Sequence, residues 1–354
     1  MTDIVLRSEP LGHPWGGMDP FLFCVYHQDD FPAAGEGQGV APAQLQGRSI
    51  GQDFSGRDGF SMYHGTDVPG FPAHPHRGFE TVTIVNQGLV DHADSLGAAA
   101  RYGDGDVQWL TAGRGVMHSE MFPLRSGEGR NPLDLYQIWL NLPPQDKMVD
   151  PAFVVQWGDD IPVYRTTAPS GAVAEVKIVA GDYAPQEDQP EGVTATIAAL
   201  PATPRSWSGR AEGDVAIWQI TLEPGASITL PPAVQAAARR NLYFHQGDQL
   251  QIAGGTQPAG RLISVKATQA LPIVNSGREA ARILLLQGVP IGAPVAAHGP
   301  FVMNTRQEIE QAMRDFQQTQ FGGWPWGASG PVHAPGMQRF ALPPGAKEPA
   351  LPPA

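Results

Sequence analysis

The sequence predicts an all-β protein built from small antiparallel barrels. Frequent chain breaks are one reason, because 354 residues include 42 glycines and 35 prolines. Short stretches of alternating apolar and polar residues between those breaks are the second. A hydrophobic fraction of 42% supplies real cores, whereas the charged fraction of 16% is low. This mixture is typical of barrels and jelly rolls rather than helical bundles, and the length suits two domains.

Strand patterns follow one another closely in the first part of the chain. They are predicted at residues 20–26, 80–85, 89–92, 107–110 and 135–142. Turn-forming Gly, Asn and Asp residues separate them. Residues 33–53 contain few large apolar side chains and are predicted to form a solvated loop, with a flap over a binding site as the functional alternative.

A second set of strands follows a break at Pro143-Pro144-Gln145-Asp146-Lys147, which is predicted to connect two domains. These strands are predicted at residues 215–222, 228–230, 241–244, 249–252, 262–265 and 283–287. Residues 83–88 (TIVNQG) and 242–247 (LYFHQG) are similar. The two halves are therefore predicted to be diverged copies of one barrel.

One helix is predicted near the end of the chain. Thr305 and Glu308 have the spacing of a capping box. An apolar stripe that should dock on a barrel follows at Ile309, Ala312, Met313 and Phe316. From Gly322 onward the chain is rich in Pro and Gly, so no ordered helix or sheet is expected there. Trp324 and Trp326 are predicted to anchor this tail to the surface.

Charge and cysteine content exclude several classes of protein. The formal net charge is −12 and no run of Lys or Arg is present, which argues against direct binding to nucleic acid or to an anionic membrane. The single cysteine, Cys24, excludes an internal disulfide, favours a reducing compartment and is predicted to be a buried thiol. No signal-peptide core and no run of about 20 apolar residues is found. A cytoplasmic location is expected.

Two pairs of metal-ligating residue types, each with one residue between its members, lie in one segment. They are His74 with His76, and His118 with Glu120. On an extended strand, residues i and i+2 point to the same face, so each pair can direct both side chains at one point. Three imidazoles and one carboxylate suit a first-row divalent metal with open positions, whereas a structural zinc site would be closed.

Several long motifs in this region carry a resemblance to a known family. The strings HPHRGFET, DSLG, GDVQWLTAGRGVMHSE and, much later, GPFVMNT resemble signature segments of the pirins, within the cupin superfamily. The similarity extends from about Asp19 to about Phe316. It implies two tandem cupin (jelly-roll) β-barrels with a C-terminal helix. We predict a metal-binding barrel at 1–142, a barrel without ligands at 143–303, and a helix with its tail at 304–354.

The resemblance also implies a metal and an activity. One metal, usually iron, would bind in the first barrel through His74, His76, His118 and Glu120. Fe(II) is favoured, and Mn, Ni, Co, Cu or Zn remain possible. The implied reaction is the opening of a flavonol such as quercetin by O2, with release of carbon monoxide. Pirin-like proteins also have regulatory roles, so a metal- or redox-dependent interaction protein with a protein partner is the alternative.

Neighbouring residues have two possible roles each. Glu120 is either the base that takes the substrate's hydroxyl proton or a plain ligand. His92 and Asp94 either hold a ligand imidazole or stabilise a turn. Arg77, Arg114 and Gly113 are predicted to fix loop geometry, although either arginine could meet an anionic substrate. In the second copy, the stretch VQAAA (234–238) replaces the histidine pair and His245 is predicted to be structural. One metal per chain is therefore expected.

Overall fold

The structure, a computed structural model, describes residues 4–186 and 196–353, which form 24 strands and two α-helices. In chain order the strands are β1 (Val5–Pro10), β2 (Trp15–Met18), β3 (Phe21–Phe31), β4 (Gly70–His76), β5 (Phe79–Gln87), β6 (Leu89–Asp94), β7 (Ala99–Gly103), β8 (Val107–Thr111), β9 (Val116–Met121), β10 (Asn131–Asn141), β11 (Ala152–Gln156), β12 (Val163–Thr167), β13 (Val173–Ala180), β14 (Ala216–Leu222), β15 (Ser227–Leu230), β16 (Arg239–Gln246), β17 (Gln249–Ile252), β18 (Gly255–Pro258), β19 (Arg261–Val265), β20 (Leu271–Asn275), β21 (Ala281–Gly288), β22 (Ala296–His298), β23 (Phe301–Met303) and β24 (Phe340–Leu342). The helices are α1 (Pro42–Leu45) and α2 (Arg306–Thr319).

The chain divides into two compact units that are not consecutive stretches. Met1–Cys24 belongs with Asp160–Gly292, and Val25–Asp159 with Ala293–Ala354. We call the unit that contains β4 and β9 the first barrel and the other the second barrel. The predicted domain boundaries at 142/143 and 303/304 remain predictions, because each compact unit combines two separate stretches of the chain. One reason is that β1, at the start of the chain, pairs with β19.

The first barrel consists of two facing sheets. One has the strand order β24-β7-β6-β9-β4, and the other contains the order β11-β8-β5-β10-β3. Buried side chains from both sheets share one apolar cluster, for example Val90 and Val116 from the first sheet with Val85, Leu110 and Leu135 from the second. Because side chains alternate along a strand, each sheet presents one face to this interior.

The second barrel repeats the same plan. Its sheets have the orders β1-β19-β16-β21-β14-β13-β12 and β15-β20-β17-β18. The apolar cluster between them includes Trp218, Leu242 and Leu285 from one sheet and Ile228 and Ile273 from the other. The predicted all-β architecture of two barrels is confirmed, and each strand predicted above overlaps an observed one.

Strand pairing shows which elements of the two barrels correspond. In the first barrel β5 pairs with β8 and β10, and β9 pairs with β6 and β4. In the second, β16 pairs with β19 and β21, and β20 pairs with β17 and β15. The counterpart of β4 is therefore β15. The sequence comparison, which matched the histidine pair with residues 234–238, was wrong by several residues.

Helix α2 begins as predicted. Thr305 is its N-cap, and both hydrogen bonds of the capping box with Glu308 are present. Ile309 and Ala312 are buried against Phe301 of β23 and its neighbours, and Phe316 is partly buried there. Met313 is 37% exposed, so three of the four predicted stripe residues dock.

The tail after α2 is more ordered than its composition suggests. Strand β24 pairs with β7, so the expectation of no sheet in this region was wrong. Trp326 donates its indole N–H to the backbone oxygen of Asp94 at 2.8 Å, as expected for an anchoring residue. Buried Arg101 explains much of the order, because its guanidinium pairs with Asp91 at 2.7 Å and donates to the backbone oxygen of His333 at 2.9 Å. Partners this distant in sequence leave no local pattern.

The loop at 33–53 is part packed and part exposed. Ala34 N–H donates to the oxygen of Ser126 at 2.7 Å, and Leu124 N–H donates to the oxygen of Gln38 at 2.9 Å. Helix α1 and the residues after it are mostly exposed. The predicted solvated loop therefore describes its second half only.

Candidate metal centre

Strands β4 and β9 are antiparallel neighbours and carry the two predicted pairs. His74 lies directly opposite His118, and the register slips between Phe71 and His74. The irregularity lies next to the ligand pair, which is where bulges commonly re-aim side chains. Strand parity then directs His74 and His76 from β4, and His118 and Glu120 from β9, towards the interior of the first barrel.

The three predicted histidines converge. One ring nitrogen from each of His74, His76 and His118 lies within 4.8 Å of the others. The ring centroids are 4.4 Å apart for His74 and His118, 4.8 Å for His74 and His76, and 4.9 Å for His76 and His118. His76 and His118 are buried, while His74 is partly exposed. We call these residues the triad.

Glu120 lies beside the triad and is held by two hydrogen bonds. Its Oε2 is 3.7 Å from Nε2 of His118. Gln137 Nε2 donates to Oε2 at 2.8 Å, and Thr83 Oγ1 donates to Oε1 at 3.2 Å. Among the described residues, the candidate ligand atoms that lie within 4.8 Å of one another all belong to the three histidines. The fourth ligand position of Glu120 therefore stays a prediction.

Burial sets the protonation of the site. It lowers the pKa of His74 to about 4, with a smaller opposing effect from the backbone oxygen of Pro72. It holds the pKa of His76 and of His118 well below the usual range. It raises the pKa of Glu120, against the charge of His92 and the hydrogen bonds to Gln137 and Thr83. Neutral imidazoles are the form that binds a metal.

Hydrogen bonds orient two of the imidazoles. The Nδ1 atom of His74 is 2.8 Å from the oxygen of Pro72, and Nδ1 of His76 is 3.4 Å from the oxygen of Pro300. A backbone oxygen accepts, so each Nδ1 carries the proton and each Nε2 keeps its lone pair. These backbone partners were not foreseen, because a carbonyl oxygen has no sequence signature.

The residues present fit a divalent metal ion. His118 is completely buried, and neither of its ring nitrogens has a hydrogen-bond partner within the described parts of the chain. An orphaned buried polar group costs about 1–3 kcal/mol and needs an explanation. A cation bound by one ring nitrogen of each histidine would give one of the two His118 nitrogens a partner, and imidazole suits iron, nickel, copper or zinc.

Asp94 has the predicted turn-stabilising role, whereas His92 packs beside the triad without a hydrogen bond to His118. Asp94 Oδ1 accepts from the N–H groups of Leu96 and Ala98, both at 2.9 Å, which stabilises the turn. Its Oδ2 is 3.3 Å from Nε2 of His92. The His92 ring lies 5.6 Å from that of His118, so it packs beside the triad.

The predicted loop residues do fix loop geometry. Arg77 Nη1 donates to Asp315 of α2 at 2.7 Å, and its Nε donates to the oxygen of Arg114 at 2.6 Å. Arg114 forms an exposed ion pair with Asp150 at 2.9 Å. Gly113 is required, because its φ is +47° and a Cβ there would lie 2.1 Å from the backbone oxygen of Val149. Neither arginine is oriented towards the triad by these contacts.

Comparison with known proteins shows which family this chain resembles. A family model described as Pirin matches residues 15–140, and one described as Pirin C-terminal cupin domain matches residues 217–322. A Pseudomonas aeruginosa protein named "Putative quercetin 2,3-dioxygenase" is 36% identical over 259 residues, covering 71% of this chain and 79% of that protein. A pirin-like protein of Solanum lycopersicum is 34% identical over 290 residues, covering 78% and 89%.

A solved structure agrees with these matches. The crystal structure of quercetin 2,3-dioxygenase from Acinetobacter baumannii has a TM-score of 0.65 at 26% identity, covering 90% of this chain and 98% of that one. Fold and site thus define a two-barrel cupin protein with a histidine triad in its first barrel. The chain belongs to the pirin family. In residues 4–186 and 196–353, no helix combines the length and apolar character needed to cross a membrane.

Proposed function

We propose that this chain is a metal-dependent oxidoreductase that opens the ring of a flavonol such as quercetin with O2 and releases carbon monoxide. The observation that carries the proposal is the convergence of donor atoms of His74, His76 and His118 to within 4.8 Å, beside the carboxylate of Glu120. The names of the Pseudomonas relative and of the Acinetobacter structure support the substrate class.

The triad and Glu120 would hold one divalent ion, with Fe(II) as the first candidate and Mn, Ni, Co, Cu or Zn as others. When bound, the ion would supply Lewis acidity towards an enolate oxygen and, if redox-active, electron exchange with O2. Three neutral imidazoles and one carboxylate leave a divalent ion with a net charge of about +1 and open positions for substrate.

Glu120 would accept the proton of the flavonol hydroxyl. The donors on Gln137 and Thr83, at 2.8 and 3.2 Å, hold its carboxylate in one orientation. Positioned proton transfer of this kind contributes about 10²–10⁴ in rate. The buried Phe79 and the half-buried Trp139 pack 5.0 and 5.2 Å from the His76 ring, which keeps water from that side of the site.

Anaerobic loading followed by oxygen tests the proposal. The protein is loaded with Fe(II), quercetin is added, oxygen is admitted, and flavonol absorbance and carbon monoxide are followed together. Turnover that exceeds the rate of free iron, and that disappears in His118→Ala, supports the reaction. A rate no higher than that of free iron contradicts it.

A metal-dependent regulatory interaction protein is the second candidate. The observation that favours it is the burial of the triad, since His76 and His118 are buried and His74 alone of the three is partly exposed. An enzyme site needs access for a substrate, whereas a regulator works with a closed site. Metal binding without flavonol binding or turnover would favour this candidate.

A further inference from the structure

A cluster of aromatic side chains extends from His74, the one triad residue that is partly exposed. The Phe71 ring lies 6.3 Å from the ring of His74, the partly exposed histidine. The rings of Phe54 and His64 are 5.1 Å apart, and they lie 6.5 and 5.7 Å from Phe71. We call Phe54, His64 and Phe71 the aromatic rim. Phe54 is 55% exposed and His64 is also exposed, so the outer part of the rim is open to a ligand.

The loop that presents Phe54 is held firmly. The preceding Asp53 is buried and exchanges two backbone hydrogen bonds with Tyr63, at 2.9 and 2.7 Å. Its carboxylate accepts from Arg48 Nη1 at 2.8 Å and from Ser55 Oγ at 2.6 Å. These contacts fix the backbone next to Phe54, so its ring is held in one group with His64 and Phe71.

The ring of Phe71 packs on another aromatic ring, that of Tyr63. Tyr63 stacks on it with ring centroids 5.1 Å apart and planes 27° apart. The Tyr63 hydroxyl donates to Asp29 Oδ2 at 2.6 Å, which fixes the ring. Tyr63 also has a φ of +56°, a conformation that a non-glycine residue adopts only where its surroundings enforce it. A preorganised platform loses little conformational entropy when a ligand stacks on it.

We infer that the aromatic rim binds the pendant phenyl ring of a flavonol whose oxygen-bearing rings meet the triad. This inference rests on the proposed function and names the residues that select its substrate. The rim offers two phenyl rings and one imidazole and no carboxylate, so it suits an uncharged planar aromatic ring. Aromatic pairs prefer offset or edge-to-face contacts with centroids about 4.5–7 Å apart, the spacing the rim's own rings already have.

Anaerobic binding tests the rim without requiring turnover. Metal-loaded protein is titrated with quercetin and with 3-hydroxychromone, which keeps the ketone and hydroxyl but lacks the pendant phenyl. Phe54→Ala should raise the Kd for quercetin about three- to tenfold and leave the Kd for 3-hydroxychromone unchanged. Phe54→Trp should restore quercetin binding. Leu6→Ala, at a residue that is 59% exposed in the second barrel, is the control and should change neither Kd.

The possible outcomes separate the rim from the reaction. An unchanged quercetin Kd in Phe54→Ala with full metal content overturns the rim, as does equal weakening for both ligands. Wild-type protein that binds quercetin but does not consume it with O2 contradicts the reaction and leaves the rim intact. Normal turnover with an unchanged KM in Phe54→Ala contradicts the rim alone. No flavonol binding by the wild type overturns the rim.

Discussion

The two barrels have the same strand pairing but carry different side chains on one corresponding pair of strands. The strand pair β4 and β9 of the first barrel corresponds to β15 and β20 of the second. Inward positions of β4 and β9 carry His74, His76, His118 and Glu120. On β15 and β20 the paired, buried residues are Ile228 with Ile273 and Leu230 with Leu271. One scaffold therefore holds either donor atoms or hydrocarbon at the same place.

The difference shows how a buried metal site affects the stability of the fold. A fully buried Leu or Ile stabilises a core by roughly 1.5–3 kcal/mol relative to an exposed one. Buried imidazoles and a carboxylate oppose folding unless they find partners. The first barrel supplies some of these partners, such as Gln137 and Thr83 for Glu120. The second barrel uses the same positions for stability.

The largest expected effect comes from removing a triad member. His118→Ala should lower metal affinity by on the order of a thousandfold, because rigid strands prevent other groups from replacing the lost nitrogen. Elemental analysis should find one metal per wild-type chain and almost none in the variant. His245→Ala in the second barrel is the control and should keep full content. Two tightly bound metals per chain, or full retention by His76→Ala, would contradict the assignment to the first barrel.

Changing the carboxylate separates ligand from base. Glu120→Gln keeps an oxygen and the side-chain shape but removes the charge and the ability to accept a proton. If Glu120 is the base, flavonol turnover by the metal-loaded variant should fall by about 10²–10⁴. The loss should shrink at high pH, where the flavonol hydroxyl ionises unaided. Near-normal turnover, or a loss that does not vary with pH, would show that Glu120 is not the base.

A cavity in the second barrel should affect stability alone. Leu285 is completely buried in its apolar cluster. Leu285→Ala should lower the free energy of unfolding by about 2–5 kcal/mol, as measured by chemical denaturation. Metal content of the folded protein should remain at the wild-type level. A folded variant that has lost its metal would show that the barrels do not divide stability and chemistry in this way.

The smallest effect concerns pH and the first barrel. Burial raises the pKa of Asp29 to about 6, against a hydrogen bond from Tyr63. Since this folded-state pKa exceeds the ordinary aspartate value of about 3.8, the associated stability is complete below pH about 4 and is lost as pH rises through about 6. At about 1.4 kcal/mol per pKa unit the loss is at most about 3 kcal/mol.

Asp29→Asn should flatten this pH dependence, because the side chain can no longer ionise. Unfolding free energies at pH 4, 5, 6 and 7 measure it. The neighbouring Asp30 is exposed and pairs with Arg130, so Asp30→Asn is the matched control and should keep the wild-type slope. A slope that survives in Asp29→Asn would assign the dependence to another group.

Local sequence patterns allowed much of the fold and of the metal site to be predicted. Alternation along β5 and β10 marked these strands, since side-chain direction on a strand repeats every second residue. Spacing alone directed His74 with His76, and His118 with Glu120, to common faces. The capping box at Thr305 was visible because its two partners are three residues apart.

Long-range pairing could not be predicted in the same way. The β15 counterpart of β4 was misplaced, because the loops between corresponding strands differ in length while the pairing does not. The tail was expected to lack sheet, because its order depends on Arg101 and Asp91, more than 200 residues away in sequence. Local composition contains no record of such partners.

The sequence by itself determined the fold class, the common face shared by His74 and His76, and the helix cap, because each depends on spacings of a few residues along one strand or turn. Tertiary structure alone decided the slip in register that sets His74 opposite His118. It also decided the donors that hold Glu120 and the aromatic rim beside the triad. These features depend on which distant segments meet, and that is fixed by packing in three dimensions rather than by local periodicity.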